Sequence, residues 1–337
     1  MASSAKSRQH VITQRDFEIL TALDRTPLTV AQLLKLSQTF KGPFTNERYL
    51  RRRMQDLAAS GFVRAFQYAT TGNGAPNYYR LTLTGYRLLH GPKAYPPVKR
   101  AFSEVGLSHQ HHTNALADFI VHTTISAHAQ RIELASFYRE NTLRIRVGED
   151  VVLPDCAFEL ILPSGYQFNF LVELDNGTER IRSDKDTERW DRKLRLYDAI
   201  QDQANSRFRV LIVTTRSVKR LRRIMDTAAD LASNPSRRLF YGVHLPYYLK
   251  QEDAVTSRCF LDHNWRNVAL IPPVNRGSNK KGLPKHPDEE ALLERLRAVE
   301  RLVKTAESSV PNERRGATSD SPALQSIDSR CAATFNI

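Results

Sequence analysis

The 337-residue sequence is poor in cysteine and has no long apolar run. Its three cysteines, Cys156, Cys259 and Cys331, lie far apart, and so sparse and odd a count argues against a disulfide framework or a cysteine-rich zinc cluster. No segment approaches the roughly 18 consecutive apolar residues that indicate a transmembrane helix. The N-terminus also lacks the apolar core of a secretory signal. We therefore expect a reduced, cytoplasmic protein without membrane contacts.

The sequence also lacks a GxxxxGK[ST] loop, so nothing in it supports nucleotide hydrolysis at a P-loop. Its composition is that of an ordinary globular protein, with 41% apolar and 26% charged residues. At about 100–200 residues per domain, the length predicts two domains with additional tails.

Positive charge is concentrated at the N-terminal end of the chain. The formal net charge is +14, and residues 1–100 contain 16 Lys and Arg against 5 Asp and Glu. Residues 101–275 are nearly balanced, with 23 basic and 22 acidic side chains. A positive electrostatic field confined to one region indicates a polyanionic partner, and we expect this partner to be double-stranded DNA.

The first hundred residues have the pattern of a winged helix-turn-helix domain over residues 11–91. Apolar spacing predicts three helices, the third capped by Thr45 and ended by Gly61, and then two strands joined by a Gly-rich turn. A further helix begins near Thr84. The predicted helices cover residues 13–23, 29–36, 45–61 and 85–90, and the strands cover 62–69 and 77–83.

The third predicted helix carries the candidate DNA-reading side chains. Arg48 and Arg52 are four residues apart and share one face, whereas Leu50, Met54 and Leu57 take the opposite, core-facing side. The helix can then enter the major groove while the wing approaches backbone phosphates. Contact with another protein is the alternative use of such a surface. The candidate DNA-binding residues are Arg48, Arg51, Arg52, Arg53, Arg64 and Arg80.

After a predicted linker over residues 92–107, the pattern changes to that of an α/β domain over 108–271. A short apolar run at 208–215 indicates a buried parallel strand, so the sheet should be mixed. Residues 1–10 and the tail 272–337 are polar, with one helix expected near 287–307. The predicted helices cover 112–130, 187–201 and 217–232; the strands cover 132–138 with a possible extension at 143–147, 156–162, 167–174, 208–215 and 239–244.

Three carboxylates are expected to meet at one edge of this sheet. Asp155 precedes one strand, and Glu173 and Asp175 end the next strand along the chain. In an antiparallel hairpin the start of one strand lies beside the end of the next, and residues 173 and 175 point to the same face. Three anions so close require a divalent cation or a shared proton, and oxygen ligands suit Mg²⁺ or Mn²⁺.

This arrangement resembles the PD-(D/E)xK nuclease superfamily, through Pro154-Asp155 and Glu173. The resemblance implies that Asp155 and Glu173 are metal ligands. Asp175 stands where the superfamily has its lysine, and Lys193 on the following helix is the candidate replacement, with Tyr197 on the same face. The candidate catalytic residues are therefore Asp155, Glu173, Asp175 and Lys193. The fold expected is α/β (α+β), a winged helix followed by a nuclease-like mixed sheet.

The same layout resembles the replication-relaxation family of plasmid and mobile-element proteins. The resemblance rests on three segments: residues 153–158, the acidic strand end with Gly-Thr at 172–179, and the basic, Tyr-ended helix at 192–197. It covers roughly residues 10–245. It implies a role in plasmid replication and in relaxation of plasmid DNA.

Two functions follow from these observations. The first is a DNA-binding protein of a mobile element whose second domain is a metal-dependent nickase or nuclease. The alternative is a non-enzymatic transcription or replication regulator whose α/β domain mediates partner contacts or forms a homodimer. In that case Arg182, Arg189 and Arg192 would neutralise the carboxylates.

Two weaker patterns lie near the start of the second domain. His109-Gln110-His111 resembles the His-hydrophobic-His metal motif of another class of relaxase, but its middle residue is polar, and we interpret it as a polar helix start with His112 near the carboxylates. Asp118 is a second candidate acid for the site, from the first helix of the domain.

Overall fold

A computed structural model of the chain describes residues 11–69, 74–98, 100–182, 189–204 and 206–271, all of which belong to one structural unit. The predicted disorder at residues 1–10, the tip of the predicted wing and the tail 272–337 with its helix lie outside the described residues. The described residues form a mixed α/β protein.

The N-terminal part has the predicted order of three helices, a β-hairpin and a fourth helix. Asn46, rather than Thr45, caps the third helix by accepting a hydrogen bond from the Tyr49 backbone N–H. A two-residue strand, too short to give a periodic signal, adds a third strand to the hairpin. The elements are α1 (Gln14–Arg25), β1 (Leu28–Thr29), α2 (Val30–Leu36), α3 (Glu47–Ala59), β2 (Val63–Gln67), β3 (Asn77–Leu81) and α4 (Leu83–His90).

Backbone constraints fix how α3 joins the hairpin. Leu50, Met54 and Leu57 are fully buried, so the side of α3 predicted to face the core does so. Gly61 then ends the helix with a left-handed φ of 76°, which glycine adopts without steric cost. Gly85 in α4 lies so close to the Phe62 carbonyl oxygen that an added Cβ would be 2.1 Å from it.

The C-terminal part is a seven-stranded mixed sheet in the order β12-β11-β10-β9-β8-β7-β4. Strands β8, β9 and β10 are parallel, and the outer strands are antiparallel. The elements are α5 (Gln110–Ala129), β4 (Glu133–Tyr138), β5 (Ile145–Val147), β6 (Asp150–Val152), β7 (Cys156–Ile161), β8 (Gln167–Asp175), α6 (Trp190–Gln203), β9 (Phe208–Thr214), α7 (Val218–Leu231), β10 (Phe240–His244), α8 (Leu245–Tyr248), β11 (Phe260–Asp262) and β12 (Asn267–Val268).

The short elements of this part differ from the prediction, and the four-residue helix α8 was not expected. Residues 143–147 do not extend β4: β5 pairs with β6 in a separate hairpin, and Gly148 at the turn has a φ of 59°. Strands β11 and β12, which the sequence did not predict, extend the sheet beyond β10. Both are short, so neither offers enough alternating residues to be recognised.

Helices cover both faces of the sheet. Leu116 and Phe119 of α5 pack with Tyr248 of α8 on one face. Trp190 of α6 and Leu221 of α7 pack on the other face. Burial on both faces explains the continuous apolar run at 210–213 in the central strand β9. Among the described helices, none combines the length and apolar character needed to cross a bilayer.

Helix α5 also joins the two parts. Its residues Ala117 and Val121 belong to the core of the N-terminal part. Asp118 accepts a hydrogen bond of 2.8 Å from the Gln32 side chain of α2, so it faces the N-terminal part and not the carboxylates of the sheet. The predicted linker is also bound to the N-terminal part, because the Arg80 guanidinium on β3 donates hydrogen bonds to the carbonyls of Ala101 and Ser103.

Arg53 of α3 is held inside the N-terminal part. Its guanidinium donates to the fully buried Asp16 carboxylate, which also accepts hydrogen bonds from Thr13. Burial alone would raise the pKa of Asp16, but these donors lower it. The pair ties the start of α1 to α3.

We expect Arg53→Met to lower the free energy of unfolding by about 3 kcal/mol, because it leaves a buried carboxylate unpaired. Urea unfolding measures the change. Arg52→Met, at an exposed position of the same helix, is the matched control and should stay within about 0.5 kcal/mol of wild type. Equal losses in the two variants would contradict the structural role of Arg53.

Candidate functional site

The outer face of α3 is basic. Arg48, Arg51 and Arg52 are exposed, opposite the buried apolar side of the helix. Arg51 forms an ion pair with Glu47 one turn earlier. On β2 the exposed Arg64 lies over the Phe66 ring, 5.1 Å from its centroid. The two elements therefore present four of the six predicted arginines to solvent.

The other two predicted arginines are engaged within the protein. Arg53 is bound to Asp16, and Arg80 donates to the two linker carbonyls. Both side chains are only partly exposed. Arg53 and Arg80 therefore do not belong to the candidate nucleic-acid interface.

The β7–β8 hairpin brings Asp155 and Glu173 to the same edge of the sheet. Cys156 is paired with Val172, which places Asp155 beside Glu173. The Asp155 backbone N–H donates to the Val172 carbonyl at 2.9 Å. The Leu174 backbone N–H donates to Asp155 Oδ2 at 2.6 Å. The hydrogen bonds on both sides of Glu173 thus fix where the Asp155 carboxylate lies.

Helix α6 supplies the partners of Glu173. Lys193 Nζ donates to Glu173 Oε2 at 3.0 Å and to Glu179 at 2.8 Å, and Tyr197 donates its hydroxyl hydrogen to Glu173 Oε1. Residues 193 and 197 are one turn apart, so both reach the same carboxylate. Asp155, Glu173 and Lys193 are therefore neighbours.

Burial governs the ionisation of this group. Glu173 is 2% exposed. Its desolvation raises its pKa to about 7; Lys193 opposes the shift and the nearby Asp155 adds to it. Burial acts to lower the pKa of Lys193, but the charges of Glu173 and Glu179 outweigh burial and raise it. Lys193 therefore remains an ammonium ion, and Glu173 holds a proton more readily than an exposed glutamate does.

Asp175 does not join this group, although it lies on the same face of β8. Arg220 of α7 binds its carboxylate through two hydrogen bonds of 2.7 Å. Trp190 Nε1 and the Thr214 hydroxyl donate to it as well. Burial would raise the pKa of Asp175, but Arg220, with weaker contributions from Thr214 and Gly177, lowers it. Asp175 is thus a buried anchor between β8 and α7.

The arginines expected to neutralise the carboxylates pair elsewhere. Arg182 forms an ion pair with Asp230, Arg189 with Asp191 and Arg192 with Asp150. The relevant cation, Arg220, lies 45 residues after Asp175. Its place in the basic segment 218–223 gave no sign of an inward-facing role, because such segments are usually solvated helix faces.

His112 completes the surroundings of Asp155, as its position near the helix start led us to expect. Its Nε2 atom lies 3.1 Å from Asp155 Oδ1. Burial acts to lower the pKa of His112, but Asp155, Glu140 and Glu173 together raise it. The group thus contains two acids, one just before β7 and one on β8. Helix α6 adds a lysine and a tyrosine, and α5 adds a histidine.

These features define a mixed α/β protein with a basic helical surface and a separate carboxylate–lysine site. The replication-relaxation family matches residues 20–212, and the chain belongs to that family. The match ends within β9 and includes Asp155, Glu173, Lys193 and Tyr197 but not Arg220. No curated protein and no solved structure matches the chain. The family resemblance inferred from residues 153–158, 172–179 and 192–197 is thus confirmed.

The Asp175–Arg220 pair predicts a pH-dependent stability. The folded-state pKa of Asp175 is lowered, so its contribution is complete above the unfolded-state pKa of about 4 and is lost as the pH falls through the folded-state pKa. We expect Asp175→Asn to reduce the free energy of unfolding by about 3 kcal/mol at pH 7, and the difference from wild type to shrink below about pH 4.

Urea unfolding between pH 3 and 7 measures this difference. Asp226→Asn, an exposed position on α7, controls for the loss of one negative charge. A difference between Asp175→Asn and wild type that does not change with pH would contradict a charge-dependent anchor.

Proposed function

We propose that this protein acts in the replication or relaxation of a plasmid or other mobile element by binding double-stranded DNA with a winged helix. The observation that carries the proposal is the two-sided character of α3, with exposed Arg48, Arg51 and Arg52 opposite buried Leu50 and Met54. In this proposal α3 enters the major groove, and the β2–β3 hairpin contacts backbone phosphates.

The side chains on these two elements suit that division of roles. A guanidinium can donate two parallel hydrogen bonds to O6 and N7 of guanine, and Arg48 and Arg52 lie on one face of α3. Arg64 on β2 suits a phosphate contact. Polar Gln55, Gln67 and Asn77 line the cleft between α3 and the hairpin and can add further contacts.

We expect Arg48→Ala or Arg52→Ala to weaken binding to the preferred duplex by about 1–3 kcal/mol, because each removes a base contact. Fluorescence anisotropy over a series of salt concentrations measures the affinity and its salt slope. Arg258→Ala, an exposed arginine in the C-terminal part, is the charge-matched control and should bind as wild type does. Binding without salt dependence, or equal losses in all three variants, would contradict the assigned surface.

We propose, as a second activity, metal-dependent cleavage of one DNA strand in the C-terminal part. The proximity of Asp155, Glu173 and Lys193 supports it. The donor set fits Mg²⁺ or Mn²⁺, since each oxygen of Glu173 accepts one hydrogen bond and keeps a second lone pair. Mg²⁺ commonly uses one or two carboxylates and completes its shell with water.

Asp155 and Glu173 would hold this cation, which would stabilise the charge that develops on a phosphate under attack. Lys193 would place its ammonium beside the same phosphate and add to that stabilisation. Tyr197 keeps Glu173 oriented through its hydrogen bond. Asp175 has no part in the reaction, because its carboxylate is bound to Arg220.

We expect the protein to convert supercoiled plasmid to the nicked form with Mg²⁺ or Mn²⁺, and Asp155→Asn and Lys193→Met to lose this activity. Asp155→Asn keeps an oxygen for the Leu174 N–H, so the fold should persist. Lys250→Met, at an exposed lysine after α8, should nick as wild type does. Gel electrophoresis of the plasmid measures the conversion.

If the wild-type protein binds DNA but does not nick it, the protein is instead a non-enzymatic transcription or replication regulator. The α/β part would then serve partner contacts or a homodimer, which sedimentation of the full chain would detect.

A further inference from the structure

A second group of potential ligands lies on the other side of Asp155. His109, His112 and Glu140 each direct one ligand atom into a region where all three atoms lie within 4.8 Å of one another. His109 Nε2 is 2.6 Å from Glu140 Oε1, and His112 Nε2 is 3.9 Å from the same oxygen. Asp155 Oδ1 is 3.1 Å from His112 Nε2.

The fold explains why these residues meet. His109 and His112 are three residues apart at the start of α5, so their rings face the same way and stack with centroids 4.4 Å apart. Strand β4 has a register shift between Ala135 and Tyr138 where it pairs with β7. Such an irregularity bends a strand, and Glu140 lies two residues after the end of β4.

The potential metal-ligand atoms of this group are not all engaged in hydrogen bonds within the protein. His112 Nε2 is buried and makes no hydrogen bond of acceptable geometry, despite the nearby Asp155 oxygen. Lys193 is directed to Glu173 and Glu179, which leaves Asp155 and Glu140 facing the two imidazoles. A buried imidazole nitrogen aimed at two carboxylates is a ligand arrangement as well as an ion-pair arrangement.

We infer that His109, His112 and Glu140 form a binding site for a divalent cation of the Zn²⁺ class, with Asp155 Oδ1 as an additional oxygen beside it. Two imidazoles with carboxylate ligands suit Zn²⁺ or Co²⁺, whereas Mg²⁺ prefers oxygen ligands alone. The site differs in ligand chemistry from the oxygen site proposed at Asp155 and Glu173. It does not depend on strand cleavage, because it requires only these side chains.

The geometry needs little adjustment to accept such an ion. Ligand atoms about 2.0–2.2 Å from a tetrahedral zinc ion lie roughly 3.3 Å from one another. The present separations of 2.6 Å and 3.9 Å lie on either side of that value. His109 is 47% exposed and Glu140 28% exposed, so both can rotate, whereas His112 at 12% is held in place.

The test uses the full chain without an affinity tag, freed of metal by a chelator and titrated with Co²⁺ in the absence of DNA. We expect a visible d–d absorption that saturates at one equivalent, disappears on addition of Zn²⁺ and persists in excess Mg²⁺. His109→Ala and Glu140→Gln should each weaken Co²⁺ binding by at least about 10-fold, since loss of even an indirect partner of a metal ligand costs that much.

His111→Ala is the matched control, because this exposed histidine lies between the two ligands in sequence but outside the cluster. It should bind Co²⁺ as wild type does, and circular dichroism should show all three variants folded. No saturable absorption in the wild type, an equal loss in His111→Ala, or displacement by Mg²⁺ would overturn the site. Nicking and DNA binding do not enter these readouts, so their failure would be distinguishable.

Discussion

The buried Glu173 carboxylate is the constraint on which the arrangement of the site depends. A charged or protonated carboxyl group at the end of a central strand costs several kcal/mol of desolvation unless partners satisfy it. Lys193 and Tyr197 supply those partners from a single face of α6. Helix α6 is therefore fixed to the end of β8, and the same contact holds Lys193 beside Glu173 and Glu179.

Helix α5 links this site to the basic surface. Its first turn places His112 beside Asp155, and its middle places Ala117 and Val121 in the N-terminal core. A helix of 20 residues extends about 30 Å, so one rigid element sets the position of both. The Arg80 contacts to the linker carbonyls add a second tie. The linker predicted between two independent domains is thus part of their packing.

Contacts that one hairpin fixes could be predicted from the sequence, whereas contacts that depend on distant or irregular segments could not. Asp155 and Glu173 were predictable as neighbours because one hairpin fixes their register. Lys193 came from the resemblance to the PD-(D/E)xK superfamily, which placed the basic residue on the following helix. Asp175 was expected in the same group, but its carboxylate is bound by Arg220, which belongs to a helix beyond the next strand and gave no local signal. Glu140 gave no signal at all, because its position depends on an irregular strand and a turn.

The position of a cation at the carboxylate–lysine site would show whether Asp155 and Glu173 bind metal. Crystals of the full chain soaked in Mn²⁺ would reveal it through anomalous scattering. We expect a peak between the Asp155 and Glu173 carboxylates, with Lys193 still beside Glu173. No peak at this pair, with Lys193 and Tyr197 on Glu173 as here, would contradict it and make the cluster a structural one.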